Sequence, residues 1–163
     1  MATETGALQL TPPTTIKVAS AIFIVLALLQ FVVPALWVVH RSVIWNAVAA
    51  LNPSLPAETS RGIVDGTIFG SVGLHTLMAI LYVWLAILTR RGYRHARMAA
   101  TVLLVLDMLG GWLSFHASSN LLPSRLPYVI GAEAISLGLQ IGALWALWGP
   151  ASSSSYLRGA RNR

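Results

Sequence analysis

Two carboxyl groups stand inside apolar runs where a bilayer-spanning chain rarely keeps them: Asp107 in the run 98–115 and Glu133 in the run 128–148. An Asp at the centre of a membrane helix costs roughly 2.5 to 3.5 kcal/mol on insertion scales, so such residues face an interior cavity, are paired or protonated, and often mark function. Neither acid is isolated. At 3.6 residues per turn, Asp107 shares a helix face with Ala100, Gly111 and Ser114, and Glu133 shares one with Ser136 and Gln140 at i+3 and i+7. Gln30 in the first apolar run falls at comparable depth, about 8 to 18 Å below the outer surface at the helical rise, and His75 in the second joins it if its long helix tilts or starts late. Asp65 lies nearer a helix end, within reach of the headgroups.

A carboxylic acid withdrawn from water holds its proton more readily. Beside a second carboxyl and an imidazole it can act as general acid while a neighbour acts as base. That chemistry suits isomerisation or cyclisation of a lipophilic, isoprenoid-like small molecule arriving from the bilayer, with the protein supplying a proton, shape and exclusion of water. The expectation is a cofactor-independent membrane enzyme with Asp107 and Glu133 catalytic and Gln30, His75, Ser114, Ser136 and Gln140 binding substrate. The same residues would serve a proton-coupled transporter of a small solute, although the spans show no inverted repeat. They would also serve a non-catalytic accessory or structural membrane subunit, in which polar side chains hold helices together at about 0.6 kcal/mol each.

Other chemistries find less support. With no cysteine, disulfide frameworks, Cys-ligated metal sites and thiol redox centres are excluded. His40, His116 and Asp65 are the nearest approach to a metal-ligand set, but histidines at span ends read as interfacial residues, and no metal site is expected. Phosphate loops, nucleophile elbows and metalloprotease helices are missing.

The elements that must hold these residues follow from composition. Of 163 residues, 56% are hydrophobic and 10% charged, against about 25% charged in soluble chains. The runs 18–39, 63–89, 98–115 and 128–148 are each near or above the roughly 20 helical residues that cross a bilayer. Backbone in hydrocarbon must bond to itself, and no run alternates as a barrel strand would. The chain is therefore expected to be an all-α, integral-membrane four-helix bundle over residues 16–150, flanked by disordered tails 1–15 and 151–163.

Charge sets its orientation. Lys17, Arg90, Arg91, Arg94, Arg97, Arg158, Arg161 and Arg163 fall on one side, and Arg41, Arg61 and Arg125 on the other. Both termini should then be cytoplasmic in a multi-pass protein of the cytoplasmic membrane. The net charge of +6 is spent at span ends, leaving no basic face for nucleic acid. In the first outer loop Ile44, Val48 and Leu51 recur at helical spacing after Ser42, a candidate N-cap, and predict a short interfacial helix. Pro34 should kink the first span and free the carbonyl of Gln30. Gly62, Gly66 and Gly70 form a strip suited to close helix packing, within the chain or in a homo-oligomer. Because His75 points nearly opposite that strip, only one of the two can face the interior.

Overall fold

Pro34 places the first break. It has no N–H to give the carbonyl of Gln30, and its ring crowds the same turn. In the computed structural model, which describes residues 11–121 and 127–159 and the side chains of 11–112 and 130–157, α1 (Thr14–Leu29) accordingly ends there and α2 (Val32–Val39) resumes beyond it. The expected single span over 18–39 is thus two helices meeting at Gln30 and Phe31. α3 (Arg41–Leu51) follows at once, with His40 at its N-cap. The His40 carbonyl accepts from the amides of Val43 and Ile44, so Ser42 lies inside the first turn and is not the cap.

α4 (Ala57–Arg90) starts after Pro56 and contains the expected span 63–89. α5 (Arg94–Leu121) contains 98–115, and α6 (Pro127–Trp148) contains 128–148, with proline at its first position where a missing N–H costs nothing. All regular structure among the described residues is helical. Among the described residues three stretches are long and apolar enough to cross a membrane: Thr14–Val39, Ala57–Arg90 and Ile130–Trp148. The fourth expected span, 98–115, runs past Trp112, beyond which side chains lie outside the described residues.

Packing divides the molecule into two ends. At the end where α1 begins and the Arg-rich turn joins α4 to α5, Ile16, Phe23 and Leu26 of α1, Leu85 of α4, Leu104 of α5 and Leu147 of α6 form one buried apolar cluster. A smaller cluster at the opposite end joins Ile44 and Val48 of α3 to Val64 and Ile68 of α4, so α3 folds across α4, and Arg61 stacks over Trp45.

The C-terminal segment differs from expectation. Residues 151–159, read as part of a disordered tail, form α7 (Ala151–Gly159) after the stop at Gly149 and Pro150. Leu157 enters the main core, and Ser153 bonds to the Ala146 carbonyl and to Thr15, which itself belongs to α1 rather than to a disordered leader. Residues 1–10 and 160–163 of the expected tails lie outside the described residues. Packing here overrides the weak helix propensity of four consecutive serines.

The alternative between glycine strip and His75 is also decided within the chain. A Cβ added at Gly62, Gly66 or Gly70 would meet no atom within 4 Å, so the strip faces away from the neighbouring helices.

Gly92 has a different function. It adopts φ +79° and closes α4 with paired bonds from its own N–H to the Thr89 carbonyl and from the Tyr93 N–H to the Leu88 carbonyl, a Schellman turn. Tyr156 of α7 seals this turn, its hydroxyl donating to the Arg90 carbonyl. A Cβ on Gly92 would sit 3.1 Å from the Tyr156 ring. Replacing Gly92 with Ala should cost about 1 to 2 kcal/mol from the left-handed backbone alone. Gly66→Ala, in open space on a helix, should be neutral or stabilising. Thermal unfolding of the two variants in detergent checks the contrast.

Candidate functional site

The layer between the two ends is polar, and its centre is Asp107. Three helices bring donors to this one carboxyl. From the α1–α2 break, Gln30 Nε2 lies 3.2 Å from both carboxyl oxygens. From α4, the Tyr82 hydroxyl donates to Oδ2 at 2.6 Å, and from α6 Gln140 Nε2 donates to the same oxygen at 2.6 Å. Gln140 Nε2 also donates to Ser136 Oγ at 3.2 Å. Gln30, Tyr82 and Gln140 are all buried, at 7%, 0% and 3% exposure. Asp107 is an acceptor in every one of these bonds.

Local sequence explains how each donor arrives. Gln30 sits where Pro34 interrupts the helix, so the break that redirects the chain also presents this side chain to α5. Ser136 and Gln140 are one turn apart on α6, and the first hydroxyl fixes the second amide. Tyr82 rests its ring on Phe23 of the apolar core, with centroids 6.1 Å apart, and is the floor on which the polar layer stands.

Above that floor is a cavity of about 310 Å³. His75, Glu133 and Gly111 line it together with Gln30, Asp107, Ser136 and Gln140, and Val33, Leu74 and Leu106 supply apolar wall. The Nδ1 of His75 is 2.8 Å from the Ser71 carbonyl and 3.3 Å from Ser71 Oγ. A carbonyl can only accept, so Nδ1 carries the hydrogen and Nε2 is the nitrogen open to a ligand in the neutral ring. Glu133 has no hydrogen-bond partner among the described residues. Its carboxyl lies against Gly111, where an added Cβ would stand 3.1 Å from Oε2.

Glu133 also borders a second cavity of about 330 Å³ between α5 and α6, walled by Met108, Trp112, Ile130, Ala134 and Leu137. Asp107, Gly111, Glu133, Ser136 and Gln140 line both cavities.

Six of the seven residues singled out in the sequence meet at this place: Gln30, His75, Asp107, Glu133, Ser136 and Gln140. The side chain of Ser114 lies outside the described residues. Asp65 stands apart, paired with Arg41 at 2.6 Å, and the side chain of His116 also lies outside the described residues. Among the described residues no three His, Cys, Asp or Glu side chains are grouped to hold a metal ion. Tyr82 was missed by sequence reasoning. The available signal was its place two turns beyond His75 on the same face of α4, with Met78 between them.

Removing only the Tyr82 hydroxyl, by Tyr82→Phe, keeps the stack on Phe23 and leaves Asp107 short of one donor. Stability should fall by about 1 to 3 kcal/mol. Thermal unfolding in detergent measures it, and an unchanged midpoint would mean that the hydroxyl does not anchor the layer. For the chain that carries this site, no protein-family model matches, and no curated protein or solved structure shows significant similarity.

Proposed function

We propose that this protein is a membrane-embedded enzyme that performs acid and base chemistry, of the isomerase or cyclase type, on a lipophilic small molecule held in the cavity. One observation carries the proposal. Of the two carboxyls facing the cavity, Asp107 is held by three donors while Glu133 has no partner among the described residues. A fixed group and a free one suit different work. Glu133 donates and retrieves the proton, and Asp107 holds a constant charge pattern beside the reacting atoms. His75, through Nε2, is the second proton acceptor. Gln30, Ser136 and Gln140 shape the wall, and the two amide nitrogens are already committed to Asp107.

The proposed setting is a four-helix bundle in the cytoplasmic membrane. α5 makes a fourth crossing, α3 lies in the outer interface, and both termini with the Arg-rich turn face the cytoplasm. The distribution of eight basic residues against three supports this orientation. The cavity then opens toward the outer side, away from the apolar cluster at the terminal end.

A second reading draws on the contact of Glu133 with both cavities, which suits a carboxyl that exchanges a proton for a solute in coupled transport.

The readings part in a reconstituted system. Protein in liposomes that contain an isoprenoid lipid extract, prepared in deuterated water, should place carbon-bound deuterium in the lipid fraction, read by mass spectrometry. Glu133→Gln should lower that rate at least 100-fold, within the range general acid and base groups contribute. Asp107→Asn should also reduce it, with both variants still inserted in membranes. Solute-driven proton flux without chemical change would favour transport. Exchange and flux that are both indifferent to the two substitutions would remove both readings.

A further inference from the structure

Most of the hydrogen-bond donors of the polar layer are spent within it. The Nε2 hydrogens of Gln140 go to Asp107 and Ser136, Nε2 of Gln30 goes to Asp107, and so does the Tyr82 hydroxyl. His75 directs Nδ1 to the Ser71 carbonyl. What remains for a ligand is mainly a set of acceptors, the carboxyl oxygens of Glu133, the open edge of Asp107 and the Nε2 lone pair of His75, with the Ser136 hydroxyl hydrogen as a neutral donor beside them. No Lys or Arg is among the described residues lining either cavity. With a neutral hydroxyl but no cation among those residues, such a site offers no counter-charge to a carboxylate, a phosphate or an enolate oxygen. It complements a centre of positive charge.

The second cavity supplies the other half of the ligand. It continues from Glu133 into the gap between α5 and α6, and away from the shared polar residues its wall is apolar, with Trp112, Ile130 and Leu137 all exposed on the outer surface of the chain. The two chambers meet at Glu133 because Gly111 has no side chain to fill the space. The outer ends of Ile130 and Leu137 face what would be lipid in a bilayer, so an apolar chain can enter sideways.

We infer that the joined cavities bind a cationic amphiphile, a lipophilic ammonium compound whose charged head lies between Glu133 and Asp107 and whose hydrocarbon tail lies between α5 and α6. This rests on the proposal above only in that the cavity holds a lipophilic molecule. A cationic head is a narrower requirement, and it also describes a substrate that gains positive charge when Glu133 protonates it.

Three probes with one tail test it: dodecyltrimethylammonium, dodecanol and dodecyl sulfate, measured by equilibrium dialysis against the protein in phosphatidylcholine nanodiscs, with empty nanodiscs subtracted. The ammonium probe should bind at least tenfold more tightly than dodecanol, and the sulfate should show no binding above the empty discs. Glu133→Gln should abolish the preference for the ammonium while dodecanol still binds, and Glu133→Asp should keep it. Ala134→Phe, which fills the tail chamber, should weaken both ammonium and alcohol. Equal binding of the ammonium and the alcohol, or a preference that survives Glu133→Gln, overturns the charge inference and leaves the lipophilic cavity standing. If no probe binds in an Ala134-sensitive way, both ideas fall together.

Discussion

A carboxyl group in a medium of low polarity must be given donors, and the arrangement of this protein turns on meeting that demand at Asp107. The three donors come from α1–α2, α4 and α6, so one side chain fixes the rotation of each of those helices about its own axis. With Tyr82 turned inward to Asp107, His75 two turns away is also inward, and the Gly62, Gly66, Gly70 strip is left facing out. With Gln140 turned inward, Ser136 and Glu133 are carried into the same layer. Apolar helices slide and rotate against one another at little cost, because leucine meets leucine in many registers. A shared acceptor removes that freedom.

The polar layer also separates two kinds of packing. On the terminal side the helices close completely: Phe23 stacks on Tyr82, small residues such as Ala100 and Ala143 allow close approach, and α7 ties Thr15 to Ala146 through Ser153. Trp148 donates to Thr101 and lies under the Arg97 guanidinium, which fastens α5 to α6 at the same end. On the other side α3 still packs on α4, but the cavities open beside Glu133. A stable closed end lets the open end keep unfilled volume and a carboxyl with no hydrogen-bond partner among the described residues, features that a uniformly packed molecule of this size would eliminate.

Much of this was legible in the sequence because it depends on residues that are rare in their setting. An Asp, a Glu, a His and two Gln in apolar helices have few places to go, and periodicity alone put Glu133, Ser136 and Gln140 on one stripe. Pro34 gave the break at Gln30 for a reason internal to the backbone. The residues that escaped are those with an ordinary alternative. Tyr82 reads as a core aromatic, which it also is, and only its hydroxyl distinguishes the two functions. α7 escaped because four serines in a row favour helix poorly, and the contacts that overcome this come from α1 and α6, far away in the chain. Ser42 has the right chemistry for a cap, but the helix begins one residue earlier, at a position set by the tight passage from α2 through His40.

The stack of Phe23 on Tyr82 has an electrostatic consequence as well as a steric one. Below it, from Phe23 to Ile16, lies about 10 Å of mostly hydrocarbon side chain along the helix axis. A medium that polarises so little turns field lines away. The potential of negative charge held in the polar layer is therefore not shed evenly in all directions but is channelled out through the cavity and the gap between α5 and α6. A charged group approaching from that side meets a stronger field than the same negative charge would produce at the surface of a soluble protein, and it meets that field before it touches the layer.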